Sequence, residues 1–269
     1  VRQISASIIS KGERIVGLDR PHRRNIKFSQ IIKLNCPEIA SEARPGQFVM
    51  VNCGHDCILP RPFSVHRVTN HKDLELYFAV LEDGKGTDWL SQREAGDNIG
   101  LFGRPLGNGF SVRSTSQNLL LVAGGMGIAS LYFLAEDALK KGHSVTLLYG
   151  AATRNPYIEG RLIPGAKFIT ATEDGTSGHH GKVTDLIPQY IEWADQIFAC
   201  GPLPMYKTMA RMPELKSRPV QVSLEVRMGC GRGVCYGCTI KTRQGLRQVC
   251  QDGPVFNLED VIWEELVSV

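Results

Sequence analysis

The residues with the plainest chemical potential are four cysteines near the C-terminus. Cys230-Gly-Arg-Gly-Val-Cys235-Tyr-Gly-Cys238 is followed, after eleven residues, by Cys250. This C-x4-C-x2-C…C arrangement is the plant-type spacing for a [2Fe–2S] cluster, in which two irons share four thiolates. Three ligands on one tight loop can wrap the cluster, and the fourth closes it from a distance. Gly229, Gly231, Gly233 and Gly237 relieve crowding and free backbone N–H groups to point at sulfur. Structural zinc and disulfides are the competing readings. Zinc ribbons pair two C-x2-C knuckles, and only one such pair occurs here.

A second group could hold phosphate. Arg61-Pro62-Phe63-Ser64 opens a candidate strand, and Gly84-Lys-Gly86-Thr87 follows a later strand and precedes a short helix. A flavin dinucleotide needs a cation and free N–H groups at its pyrophosphate. Arg61 can supply the first in bidentate fashion, and Gly86 and Thr87 at a helix start the second. Ser64 could hydrogen-bond near the flavin N5. Each motif alone is weak, since such tetrapeptides are more often a strand entry and a turn.

A third group is a glycine turn. Leu120-Leu-Val-Ala-Gly124-Gly125-Met-Gly127-Ile-Ala reads as a strand, a turn and a helix start, where backbone can approach a pyrophosphate. It is not the G-x-G-x-x-G fingerprint. A last pair, Cys53 and Cys57 around His55, could suggest a second metal. A flavin-side loop with incidental cysteines is the simpler reading.

The elements that must position these groups change type along the chain. Residues 1 to about 112 read as β, with runs at 3–9, 26–33, 47–52, 63–68, 74–80 and 98–102. Turn residues separate them, which suggests a small antiparallel barrel. From Asn118 strands at 119–122, 145–149, 167–172, 196–200 and 220–223 alternate with helix patterns at 128–141, 182–193 and 204–212. That alternation argues for a parallel sheet. Beyond Leu224 regular structure fades as far as Cys250.

Composition excludes some classes. The chain has 269 residues, 42% hydrophobic and 22% charged, with a formal charge of +4. Scattered basic residues with few aromatics among them do not suggest nucleic acid. The local run Arg20-Pro-His-Arg-Arg24 reads as a solvated turn. The uncharged stretch 114–135 is broken by Gly124, Gly125 and Gly127, so it reads as strand, turn and helix, not a membrane span. No secretory signal opens the chain, and the clustered cysteines suit a cytoplasmic metal protein.

Taken together, the R-P-F-S, G-x-G-T and glycine-turn motifs resemble those of the ferredoxin–NADP reductase superfamily. The resemblance implies an α+β multidomain chain. Its parts would be an antiparallel β-barrel FAD domain over 1–112, a parallel α/β nicotinamide domain over 113–222 and a small [2Fe–2S] module over 223–269. In that family the R-x-[YF]-S element binds FAD, so the role passes to Arg61, Pro62, Phe63 and Ser64. Tyr77-Phe78-Ala79 matches the strand that lines FAD, although related chains often carry a basic residue near Ala79. Gly124, Gly125 and Gly127 match the nicotinamide turn, with Ser130 where proline is usual. Glu173 and Asp174 fall in a T-x-D-G loop beside that cofactor. Cys200, Gly201 and Pro202 match a C-G-P element near the nicotinamide, where Cys200 would pack and not attack. A 2′-phosphate calls for arginines after the second strand of such a domain, and only Arg154 stands nearby, which favours NAD(H).

Within the superfamily, three segments look like the electron-transfer subunits of dihydroorotate dehydrogenase B. They are 104–110, 223–230 and 249–256. That likeness implies an FMN-containing catalytic partner subunit, a heterotetramer of two of each, and a place in pyrimidine biosynthesis. It implies no catalytic side chain, because the chemistry belongs to the cofactors. The rival readings are a reductase subunit of an NAD(P)H:ferredoxin or sulfhydrogenase-type complex, an oxygenase reductase, and a non-enzymatic zinc-binding scaffold. In some ferredoxin-type relatives the first cluster ligand is aspartate, whereas Cys230 holds that position here.

Overall fold

The computed structural model describes residues 3–16, 26–155, 161 and 163–266. The basic run at 20–24 lies outside them. Seven strands form the first sheet: β1 (Gln3–Lys11), β2 (Ile26–Asn35), β3 (Phe48–Val51), β4 (Arg61–Ser64), β5 (Arg67–Thr69), β6 (Asp73–Leu81) and β7 (Asn98–Phe102). Their order is β4-β3-β7-β1-β2-β6-β5, with every pairing antiparallel. Only Val65 and His66 separate the two edge strands, so the sheet must curl until its edges approach. That is the barrel the β-rich half leads one to expect.

The expected single strand over 63–68 is two strands. Val65 N–H donates to Gln47 O at 3.0 Å, and His66 N–H donates to Glu75 O at 2.9 Å. The chain therefore leaves its pairing beside β3 and joins β6 at this corner. Alternation of side chains alone cannot reveal a change of partner. Inward residues such as Ile8, Ile32, Leu34, Val49, Leu74, Leu76 and Leu101 fill the barrel core. Ile31 and Tyr77, on the outer face of β2 and β6, are buried against the second half of the chain.

The second sheet holds β8 (Asn118–Gly124), β9 (Ser144–Ala151), β10 (Lys167–Thr172), β11 (His179–His180), β12 (Gln196–Cys200), β13 (Val220–Ser223) and β16 (Val255–Asn257). Its order is β11-β10-β9-β8-β12-β13-β16, parallel except for the last strand. The order reverses between β8 and β12. A doubly wound sheet binds ligands outside the carboxyl ends of its strands at such a switch point. The helix Ile128–Lys140 packs Leu131, Leu134 and Ala138 on the sheet. The helix expected over 182–193 is instead a 3-10 segment, Val183–Tyr190. Pro188 lies inside it and removes a backbone donor from any α-helical ladder.

The C-terminal segment holds more regular structure than its glycines suggest. A hairpin joins β14 (Thr239–Thr242) to β15 (Gly245–Gln248), and a short helix, Val249–Asp252, leads into β16. The hairpin turn is Arg243-Gln244, without the Asn-Gly or Asp-Gly pair that marks such turns. Cys238, Ile240, Val249, Cys250 and Trp263 share one core with Met50 of the first sheet and Leu120 of the second. The segment is thus wedged between both sheets. Among the described residues no helix is long and apolar enough to cross a membrane.

Candidate functional site

A cleft of ≈ 570 Å³ runs between the two sheets. Pro62, Phe63 and Ser64 of β4 and Tyr77, Phe78 and Ala79 of β6 line one side. Met126 and Ala129, from the glycine turn and the helix start, line another. The end of β13 and the irregular segment after it close the cleft with Ser223 to Met228. Phe63 and Phe78 meet edge to face at 5.5 Å, which fixes both rings. The cleft lining is mostly apolar and aromatic, with Ser64, Ser223, Glu225 and Arg227 as its polar members, and its size suits a flat heteroaromatic group.

Arg61, Gly86 and Cys53 form a second cluster at the N-terminus of the helix Lys85–Ser91. A methyl on Gly86 would meet Arg61 Cγ at 3.0 Å and Cys53 Cβ at 3.4 Å. The Arg61 guanidinium donates to Leu59 O at 2.7 Å and to Cys57 Sγ at 3.8 Å. Thr87 Oγ1 donates back to Gly84 O at 3.2 Å. Burial pushes the Cys53 thiol up to about 12. No group of three or more metal-binding side chains closes on His55 among the described residues. The Cys53–Cys57 loop therefore packs around Arg61.

The glycine turn meets the C-G-P element across the switch point. Gly201 Cα lies 3.4 Å from where a Gly124 side chain would begin, and Pro202 Cδ lies 2.7 Å away. Tyr206 Oη accepts from Gly201 N–H at 2.8 Å and donates to Ser223 O at 2.6 Å. Burial pushes the Cys200 thiol up to about 12, so it packs as a neutral group. Ser130, in place of proline, turns its hydroxyl back to Gly127 O at 3.3 Å.

Glu173 and Asp174 stand apart from the cleft lining. The Asp174 carboxylate accepts from Thr176 Oγ1 at 2.6 Å and from Thr176 N–H at 3.0 Å. Those bonds hold its pKa down at about 2. Its side chain shapes its own loop, which is tied to the segment after β9 where Arg154 N–H donates to Thr176 Oγ1 at 2.9 Å.

The four cysteines of the C-terminal motif are brought together with N–H groups already aimed at sulfur. Arg232 N–H and Val234 N–H point at Cys230 Sγ at 3.3 and 3.4 Å. Gly233 N–H points at Cys250 Sγ at 3.2 Å, and Cys250 N–H at Cys238 Sγ at 3.5 Å. Gly233 has φ +75 and its missing side chain would strike Gln251 Cγ at 2.6 Å, so this loop shape needs glycine. Burial alone would raise the Cys230 thiol, but N–H groups from Arg232, Cys235 and Val234 outweigh it and lower it to about 6. Cys250, more enclosed and facing Cys238, is pushed up to about 12. A two-iron cluster takes four thiolates, and the cysteine spacing together with the N–H···S bonds fits it.

Residues 225–262 match the model of the iron–sulfur cluster binding domain of dihydroorotate dehydrogenase B. The electron transfer subunit of dihydroorotate dehydrogenase B (NAD(+)) from Desulforamulus reducens is 37% identical over 244 residues, covering 87% of this chain and 92% of that protein. This chain belongs to that family. Other dihydroorotate dehydrogenase B electron transfer subunits, such as that of Bacillus caldolyticus at 38% identity over 228 residues, cover 81% of this chain and 87% of their own length. Among solved structures, an NADH-dependent reduced ferredoxin–NADP oxidoreductase superposes with TM-score 0.80 at 30% identity, over 97% of this chain and 91% of its own. The Neisseria gonorrhoeae ferredoxin NADP+ reductase, solved with FAD and NADP, superposes with TM-score 0.60 at 16% identity, over 77% of this chain and 88% of that one. The last likeness speaks to the fold alone.

Motif reading missed Ile26, Phe48, Met126, Ala129, Pro254 and the run Glu225 to Met228, all of which line the cleft. Their signal was positional. The run leaves the carboxyl end of β13, where a doubly wound sheet places its crevice.

Proposed function

We propose that this chain carries electrons between NAD(H) and a catalytic partner subunit that oxidises dihydroorotate, in pyrimidine biosynthesis. The observation that carries the reading is the shared lining of one cleft. Residues of β4 and β6, Met126 and Ala129 at the glycine turn and helix start, and the residues leading toward Cys230 all line it. Met228 lines the cleft and Cys230 lies two residues on, at most about 7 Å of extended chain.

The residues divide the work. Pro62, Phe63, Ser64, Tyr77, Phe78 and Ala79 hold the isoalloxazine of FAD, and Arg61, Gly86 and Thr87 hold its pyrophosphate. Gly124, Gly125 and Gly127, with Cys200, Gly201 and Pro202, seat the nicotinamide nucleotide, and the Glu173–Asp174 loop borders it. Cys230, Cys235, Cys238 and Cys250 hold the [2Fe–2S] cluster. When bound, FAD and the cluster supply the conversion between paired electrons, carried as hydride, and single electrons. Domain limits near 112 and 222 follow from this division, with β16 returned from the third part to the sheet of the second. No described side chain is needed as acid or base.

The partner brings FMN, and two copies of each subunit assemble. Ile58 (96%), Val234 (72%) and Tyr236 (70%) are exposed around the cysteine loop, and Leu59 Cδ1 lies 3.8 Å from the Gly229 side-chain position. An apolar surface of this kind beside the cluster suits a protein partner. The four cysteines outside the cluster motif, Cys36, Cys53, Cys57 and Cys200, are buried thiols, which suits a cytoplasmic setting.

The test is steady-state kinetics with components alone and mixed. The chain alone reduces artificial acceptors with NADH and leaves dihydroorotate untouched. Adding an FMN-bearing dihydroorotate dehydrogenase subunit creates dihydroorotate-dependent NAD reduction. Dihydroorotate oxidation by the chain alone would sink the proposal. Failure of the mixture to couple favours a second reading, a ferredoxin-linked reductase subunit, which the likeness to the NADH-dependent oxidoreductase supports.

A further inference from the structure

The corner between β4 and β5 does more than turn the chain. His66 is 2% exposed, and its Nδ1–H donates to Ala129 O at 3.0 Å. The proton sits on Nδ1 because a carbonyl can only accept. Ala129 is two residues past Gly127 and lines the cleft opposite Ser64. The imidazole also lies 4.7 Å from the ring of Tyr132 and 5.5 Å from that of Tyr77.

Arg67, the next residue, grips the same helix further along. Its Nη2 lies 2.8 Å from Glu136 Oε1 and its Nε 2.9 Å from Glu136 Oε2. This is a fork-to-fork pair with fixed direction, and Glu136 is only 11% exposed. Ala129, Tyr132 and Glu136 fall on one face of the helix Ile128–Lys140. Two consecutive residues just past the flavin strand thus hold one helix face at two points, two turns apart.

The arrangement has a geometric consequence. The helix already packs on its own sheet and against Ile31 and Tyr77, and two directional contacts two turns apart fix its angle to the first sheet more tightly than one could. The glycine turn is continuous with the start of this helix, so the double grip helps to set its position against β4. We propose that His66 and Arg67 are positioning residues that keep the nicotinamide turn in register with the flavin strand for hydride transfer. They act through Ala129 and Glu136. The inference rests on the cofactor placement proposed above. Burial, which pushes the His66 pKa down to about 4, keeps the imidazole neutral and donating at neutral pH.

The experiment uses the full chain loaded with FAD and cluster, mixed rapidly with NADH. Three variants are compared with wild type: His66→Leu, His66→Asn and Arg67→Met. Asparagine can present an N–H close to where imidazole Nδ1 stands, and leucine cannot. His66→Leu lowers the limiting rate of flavin reduction by about 10- to 100-fold, as small misplacements of reacting groups do. Flavin content and the NADH concentration for half-saturation stay unchanged. His66→Asn restores most of the rate, and Arg67→Met lowers it in the same sense as His66→Leu. Amide hydrogen exchange at 125–129 quickens in His66→Leu and Arg67→Met, but not in His66→Asn.

Wild-type rates in both His66→Leu and Arg67→Met would overturn the inference. So would equal losses in His66→Leu and His66→Asn, since the ring would then only fill space. If His66→Leu does not fold, Arg67→Met and His66→Asn decide the matter on the same readouts. If wild type takes no electrons from NADH, the proposed function fails. The exchange measurement, which needs no nicotinamide chemistry, still decides whether the double grip holds the turn.

Discussion

A methyl group on Gly127 would stand 1.9 Å from the carbonyl oxygen of Cys200. The glycine turn after β8 and the end of β12 are therefore in backbone contact at the switch point of the sheet. Sequence reasoning assigned these glycines to the approach of a pyrophosphate. At Gly127 the nearer constraint is the protein's own backbone. Gly127→Ala must push β12 and the turn apart, at a cost of about 1–3 kcal/mol, as for other overpacked sites. Thermal unfolding of the FAD-loaded chain should show a fall of about 2–4 °C for each kcal/mol lost. An unchanged midpoint would mean that the turn yields without strain.

Cys235 is exposed, so its replacement disturbs little packing. Cys235→Ser should abolish or strongly perturb the [2Fe–2S] signal, because an alkoxide is a poor substitute for thiolate. FAD should stay bound, since the residues proposed to hold it lie on β4, β6 and the helix Lys85–Ser91. Iron content and electron paramagnetic resonance of the reduced protein measure this. An unaltered cluster spectrum would contradict the ligand assignment.

Arg61 presents its guanidinium between Leu59 O and Cys57, next to Gly86 at a helix start. Arg61→Ala should weaken FAD binding by about 1.5–3 kcal/mol, the worth of a charge-assisted bond to phosphate. Flavin fluorescence on serial dilution reports the loss. Retention of FAD with wild-type affinity would leave Arg61 as a strand residue only.

His66 gives the stability a pH dependence. Burial lowers its pKa from 6.5 to about 4, the bond to Ala129 O opposes this, and Arg161 and Arg67 add to the lowering. Between those values the unfolded chain takes a proton that the native chain refuses. Its contribution is therefore neutral above about pH 6.5 and turns against the fold as pH falls toward 4, by at most about 1.4 kcal/mol per unit. Urea unfolding of wild type and His66→Asn across this window measures it. The variant should show the flatter profile, and parallel profiles would place the proton elsewhere.

What the sequence determined by itself was local chemistry. Cysteine spacing, the R-P-F-S tetrapeptide and the glycine turn are contiguous motifs, and contiguous spacing is written in the chain. Strand and helix alternation after Asn118 likewise announced a parallel sheet, because each element carries its own period. Tertiary structure decided which motifs meet. The change of partner at Val65 and His66, the wedging of the cysteine segment between two sheets, and the run Glu225 to Met228 in the cleft all depend on contacts between distant residues. The 3-10 segment at Val183–Tyr190 and the hairpin at Thr239–Gln248 were missed for a related reason. Short elements with weak periodicity are held by their packing, and packing partners are set by the fold and not by neighbours in sequence. The grip of His66 on Ala129 spans 63 positions of chain, so only the folded molecule could reveal it.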